Sequence, residues 1–221
     1  MPYSIKKSFY FVRISKTAGM YLMEALREAI PDIVDDKNNY FPPVSIDGER
    51  HGDHIWLSDL YESLEGSESV QYSKFKFDRN SLDELKKFAV IRNPYTRTLS
   101  LFSFFRRFNN EVYTPKMFEN DVFNIESRFN SYHLFQSDFI CKKGSEDLLV
   151  DHLIPVENNL LEQVGDYVGV HLESRKKVNV SSTRKVNDAD FFRNDLVVEK
   201  IASFFDKDFR VLGYSKSDIP K

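Results

Sequence analysis

Cysteine is almost missing from this chain of 221 residues: Cys141 stands alone, which excludes an internal disulfide and a cysteine-rich metal site. A lone thiol of this kind reads as an inert small hydrophobe. Glycine and proline are also scarce, 8 of each against 20 Phe and 11 Tyr, the composition of a packed globular protein and not of a disordered one. Net charge is small, with 31 basic and 34 acidic residues giving −3. No bulk field for nucleic acid exists, and any basic site must be local. No apolar window approaches the roughly 18 residues of a membrane span, and no signal-like apolar region follows a basic flank at the N-terminus. The expectation is a cytoplasmic protein without a membrane span. Internal repeats and low-complexity tracts are absent too, and the length suits a single domain over 1–221.

What the chain does have begins with Phe9-Tyr10-Phe11-Val12-Arg13-Ile14, an apolar run that meets Ser15-Lys16-Thr17-Ala18-Gly19 and then Met20 to Leu26. This reads as strand, tight turn and helix start. Backbone N–H groups at a helix N-terminus and one ammonium would converge there, an arrangement suited to phosphate or sulfate. Helical spacing over Tyr21 to Ile30 ends at Pro31. Asp32 to Asp53 is a polar surface excursion of the kind that often carries function. His54 to Leu64 resumes helical spacing with Gly66 as its stop, and Val70 to Phe77 reads as one strand.

Ser81-Leu82-Asp83-Glu84 has capping-box spacing. Phe88-Ala89-Val90-Ile91 is short, apolar and unbroken, as expected of a buried parallel strand. Arg92-Asn93-Pro94 follows at once, with Pro94 placed to open a helix through Tyr95, Leu99, Phe102 and Phe105. Asn109 to Asn130 suggests short helices whose Phe residues fill core. Val150 to Val156 is a third buried strand, and a helix runs from Glu157-Asn158-Asn159 to Val168, stopped at Gly169. Ser174 to Asp190 is a basic loop, Asp190 to Phe205 a final amphipathic helix, and Asp208 to Tyr214 closes the chain. Strands alternating with helices point to an α/β fold with a mostly parallel sheet.

In open α/β sheets ligands sit at the carboxyl ends of strands, so Lys16-Thr17 and Arg92 are expected to serve one ligand with two anionic groups. A Mg·ATP-dependent P-loop kinase is one candidate. The loop lacks G-x-x-x-x-G-K-[ST] spacing, however, and no apolar run ends in an Asp placed to hold Mg²⁺.

Ile14-Ser15-Lys16-Thr17-Ala18-Gly19 resembles the 5′-phosphosulfate loop of sulfotransferases that use PAPS (3′-phosphoadenosine 5′-phosphosulfate). Phe88 to Ser100, with Arg92-Asn93-Pro94-Tyr95-Thr96-Arg97 at its centre, resembles their 3′-phosphate motif. The pattern is similar to the carbohydrate branch that includes heparan and chondroitin enzymes, with weaker similarity at Val156 to Leu160 and Asp208 to Tyr214. The resemblance implies a three-layer P-loop-like fold and transfer of a sulfonate to a hydroxyl on a carbohydrate or other small acceptor. It implies that Arg92 and Ser100 hold the 3′-phosphate, that Lys16, Thr17 and the amides of Ala18, Gly19 and Met20 hold the phosphosulfate, and that no metal is used.

An ammonium at the bridging oxygen stabilises the charge that grows on the leaving phosphate. The basic loop, through Ser182, Arg184 and Lys185, is expected to close over the nucleotide. The chain departs from the family pattern at Ser15, Ala18, Met20 and Tyr21, which removes side-chain donors and keeps the backbone ones. An acceptor hydroxyl must lose its proton, and His54 is the expected base with His51 as its substitute. Glu157 reads as a cap, and His133, His152 and His171 have no assigned role. A degenerate member of the fold that only binds a nucleotide is the remaining alternative.

Overall fold

The computed structural model describes residues 2–34, 56–65, 70–72, 75–107, 112–128, 135–173 and 187–221. It divides into two compact units, one of Met1–Ile91 with Gln136–Lys176 and one of Arg92–Phe135 with Lys177–Lys221.

The first unit is an α/β layer built on a four-stranded sheet in the order β1 (Tyr3–Ser4), β2 (Phe9–Val12), β5 (Lys86–Ile91), β6 (His152–Pro155). β2, β5 and β6 run parallel, and β1 pairs antiparallel at the edge. The sheet is therefore mostly parallel, as the unbroken apolar runs require. Phe88, Ala89 and Val90 are fully enclosed, because a central parallel strand buries both faces. Opposite Phe88 in the register is Phe11, and their rings stack at 4.9 Å.

Helices α1 (Gly19–Ala29) and α8 (Leu160–Val168) cover this face through Leu22, Met23, Leu26, Val164 and Val168. The tail of α8 ends on Gly169 in the left-handed region at φ 69°, the stop expected from the sequence. Its Gly165 is required for a different reason: a Cβ there would lie 2.6 Å from the Val170 carbonyl oxygen.

Several elements differ in detail from the sequence reading. Val70 to Phe77 is not one strand; β3 (Val70–Tyr72) and β4 (Phe75–Phe77) pair with each other as a two-stranded antiparallel sheet. The helix expected to start at Ser81 is α3 (Arg79–Glu84), capped by Asp78, whose carboxylate accepts from the Ser81 N–H at 2.8 Å. That bond holds the Asp78 carboxyl below its usual range. A carboxylate at the N-cap captures the orphan amide directly, so the later Ser is not needed. Helix α2 (Leu57–Glu65) occupies the expected helical stretch; His51, His54 and Gly66 lie outside the described residues. The short α7 (Gln136–Ile140) leads to Cys141, which is buried and pairs with Leu148 through an isolated bridge.

The second unit is helical. It contains α4 (Pro94–Arg107), α5 (Pro115–Phe123), α6 (Ile125–Arg128), a 3₁₀ turn at Asp188–Phe192, α9 (Asp195–Phe204) and α10 (Asp206–Leu212). Pro94 opens α4 as its spacing predicts. The final amphipathic stretch is divided, because Asn194 caps a new helix by accepting from the Leu196 N–H. Aromatic rings fill this core: Phe118 meets Phe191 and Phe192 edge-on at 5.7 and 5.5 Å. Phe123 instead is 45% exposed. Asp121, buried in the same core, accepts from Arg106 at 2.8 Å and from the Tyr113 hydroxyl at 3.0 Å.

Substituting Gly165→Ala is expected to destabilise the chain by about 1–3 kcal/mol, because the methyl meets a backbone oxygen that cannot turn away. Urea denaturation followed by far-UV circular dichroism checks this.

Candidate functional site

The turn after β2 is assembled from residues that give it an unusual backbone. Lys16 and Ala18 both have positive φ, 67° and 61°, although neither is glycine. Left-handed backbone at a residue with a side chain costs about 1–2 kcal/mol. Such strain persists where surrounding structure enforces it and is concentrated at ligand sites. Here the enforcement is visible: Arg13, Ile14, Ser15 and Thr17 are all buried, and the Thr17 hydroxyl donates to the Ile14 carbonyl at 3.0 Å. Gly19, which the sequence marks as the turn residue, is instead the first residue of α1.

The start of α1 is open chemically. Its N-cap is Ala18, no side chain bonds to cap it, and no acidic residue occupies its first turn. Neither the cap residue nor the first turn of α1 thus supplies a carboxylate to the first amides and the positive end of the helix dipole. Backbone amides arranged around left-handed residues form concave anion nests. Lys16 is half-buried at the lip, and Met20 is 49% exposed. The Thr17 side chain is committed to the turn.

Arg13 lies beside this loop and was not singled out from the sequence. Its Nη2 is 3.8 Å from the Met20 sulfur, and it is only 5% exposed. The signal was present, since Arg13 is the one charge inside the apolar run Phe9–Ile14. Tyr21, half-buried in the first turn of α1, lines with Ala18, Val156, Leu161, Gly165 and Leu172 a groove of about 1080 Å³.

The second candidate element begins at Arg92, the residue after β5. Its Nε donates to the Thr96 hydroxyl at 3.0 Å, and that hydroxyl donates to the Asn93 carbonyl at 3.1 Å. The guanidinium is thereby oriented from one edge. Asn93 Oδ1 accepts from the Tyr95 N–H at 2.9 Å, capping the helix that Pro94 starts. Ser100 is half-buried one turn beyond Thr96, so the two hydroxyls share a face of α4. Thr96 and Asn93 are additions that the sequence reading did not make.

Behind them Arg97 is fully buried, and enclosure brings its pKa down to about 10, with Asp208 opposing that shift and Arg92 adding to it. It keeps its charge at neutral pH. Of the remaining sequence candidates, His51, His54, Arg184 and Lys185 lie outside the described residues. His152 stacks on Tyr167 at 5.0 Å and His171 pairs with Glu173 at 3.0 Å.

No protein-family model matches the chain, and no curated protein sequence matches it. Among solved structures, a sulfotransferase from Alicyclobacillus acidocaldarius is similar over 94% of this chain and 96% of its own. The identity is 14% and the TM-score 0.41, so functional assignment rests on the residues themselves.

Replacing Ala18→Gly is expected to stabilise the folded chain by up to about 1 kcal/mol, since glycine adopts this φ without the Cβ penalty and gives back part of the gain as chain entropy. Chemical denaturation of the two proteins side by side measures the difference.

Proposed function

We propose that this chain is a PAPS-dependent sulfotransferase acting on a hydroxyl of a carbohydrate or other small acceptor. The observation that carries the reading is the strained turn at 13–19, with left-handed Lys16 and Ala18 feeding an uncapped helix start. Strained backbone of this kind is concentrated at ligand sites, and an anion held by the loop amides and Lys16 is the ligand assigned to it. Arg92 and Ser100 are assigned to a second anion, the 3′-phosphate, with Thr96 holding the guanidinium by its Nε. PAPS carries two anionic groups, a 5′-phosphosulfate and a 3′-phosphate, and each set of donors is of the kind that binds one such group.

PAPS contributes a sulfonate bonded to a phosphate that leaves as adenosine 3′,5′-bisphosphate. Lys16 and the α1 amides stabilise the negative charge that grows on that phosphate as its bond to sulfur breaks, more than they stabilise the ground state. The acceptor oxygen forms the new bond to sulfur, and its proton passes to a base, assigned to His54 with His51 as the substitute. Ala18, Gly19 and Met20 serve through their backbone N–H groups. Arg184 and Lys185 are assigned to the nucleotide from the basic loop. The cytoplasmic, single-domain reading of 1–221 belongs to the same proposal. Among the described residues, no helix is long and apolar enough to cross a membrane.

A second reading draws on Met20 and Thr17: one is exposed where the family pattern has a small hydroxyl, and the other spends its hydroxyl on Ile14. This favours a chain that binds the nucleotide without turning it over, and sulfonate transfer across a panel of sugars and polyols separates the two.

Thermal melts with adenosine 3′,5′-bisphosphate and with Mg·ATP test the ligand class. The bisphosphate is expected to give the larger stabilisation, and preference for Mg·ATP overturns the reading in favour of a kinase. Arg92→Ala is expected to weaken bisphosphate binding by about 1.5–3 kcal/mol, the usual range for a hydrogen bond to a charged group, as measured by calorimetric titration.

A further inference from the structure

The start of α4 is fastened to the last residues of the described chain. Asn93 Nδ2 donates to the Asp218 carbonyl at 2.9 Å, and the Tyr95 hydroxyl donates to the Lys216 carbonyl at 2.8 Å. Both donors belong to the turn that carries Arg92, one on each side of Pro94, which has no N–H of its own to contribute. The receiving segment is itself ordered. Ser215 and Asp218 close a turn on each other, with the Ser215 N–H donating to the Asp218 carboxylate and the Asp218 N–H to the Ser215 carbonyl, both at 3.0 Å. Lys216 pairs with Asp206 at the start of α10, and Ile219 packs against the aromatic core.

We infer that the segment 215–219 is a positioning strap for the 3′-phosphate element, acting through Asn93 and Tyr95 to fix the turn from which Arg92 projects. The inference rests on the sulfotransferase reading of Arg92. Its physical basis is the double duty of Asn93. The same amide that donates to Asp218 uses its oxygen to cap the Tyr95 N–H at 2.9 Å. With both ends of a planar amide engaged, the group cannot rotate without losing a buried hydrogen bond. The Asn93 carbonyl in turn accepts from the Thr96 hydroxyl that holds Arg92 Nε. Asn93 thus joins two sets of hydrogen bonds, its side chain to the strap and its main-chain carbonyl to the Thr96 hydroxyl that holds Arg92.

The consequence for binding is preorganisation. A guanidinium whose base is fixed loses less freedom when it meets a phosphate. Substituting a strap contact is then expected to affect recognition of the 3′-phosphate and leave recognition of the rest of the nucleotide as it was. A contact that only stabilises the fold would not discriminate between nucleotides.

The test uses Tyr95→Phe, which deletes one hydroxyl, and Asn93→Ser, which keeps an oxygen able to cap the helix and deletes the donor to Asp218. Each is titrated with adenosine 3′,5′-bisphosphate and with adenosine 5′-monophosphate, which lacks the 3′-phosphate. Melting curves select a titration temperature at which both variants are folded. The expected result is a bisphosphate affinity lowered by roughly 3- to 30-fold in each variant, with monophosphate affinity unchanged, so that the preference between them contracts. Preserved preference in both folded variants, or equal loss for the two nucleotides, overturns the strap while leaving the sulfotransferase reading in place. A wild-type chain with no preference for the bisphosphate overturns that reading and the strap with it.

Discussion

Much of this structure follows from one strand that has no exposed face. β5 is hydrogen-bonded on both sides by parallel neighbours and covered above and below, so its sequence must be apolar and its ends must carry every polar requirement. Lys87, the one buried cation within it, shows how strict that demand is. Its ammonium donates to the carbonyls of Leu82 and Leu85, at 3.2 and 2.8 Å, and lies 3.9 Å from the Asp151 carboxylate. Those carbonyls are at the end of α3, where that of Leu82 also accepts from the Leu85 N–H at 3.3 Å. One lysine therefore satisfies a helix terminus and avoids the cost of an unpaired buried charge. The same parallel pairing makes the chain leave β2 and β5, and enter the two following turns, at the same, carboxyl, end of the strands.

Those turns solve their problems differently. After β2 the backbone accepts strain at Lys16 and Ala18 and leaves the helix start uncapped. After β5 the backbone is relaxed by Pro94 and capped by Asn93, and the specialised geometry is carried by side chains. The first arrangement suits a ligand group recognised by many amides, and the second suits one recognised by a planar cation. In the interior of the helical unit, Arg97 of α4 and Asp208 of α10 are both buried, and the Asp208 charge favours the charged form of Arg97 against the cost of its burial.

The sequence made legible those features whose causes are local. The apolar runs of β2 and β5, the stop at Gly169 and the start at Pro94 each depend on a few adjacent residues and emerge where the spacing puts them; β6 forms where expected but is not the buried strand its run suggests, since it ends the sheet with His152 exposed and only Ile154 buried. The division of Val70 to Phe77 was not legible, since either a single strand or a hairpin satisfies its loose alternation. The cap at Asp78 was hidden because Ser81-Glu84 offered an equally good local pattern. Left-handed Lys16 and Ala18 could not be read at all: the nearby glycine, Gly19, is the usual bearer of such a conformation, yet it starts α1, and tertiary enclosure of Ile14 and Thr17 holds Lys16 and Ala18 left-handed instead. The pairing of Asn93 and Tyr95 with carbonyls more than a hundred residues away leaves no trace in either segment, because any residue can supply a carbonyl.

The near-absence of cysteine has a practical side. Cys141 is enclosed where α7 gives way to the run leading into β6, with its sulfur 3.8 Å from the Glu146 carbonyl. Reagents that alkylate thiols can reach it only when that flank of the sheet opens. With one thiol in the whole chain, each alkylation event has a single address, so the rate of labelling is a clock for local opening beside the parallel sheet.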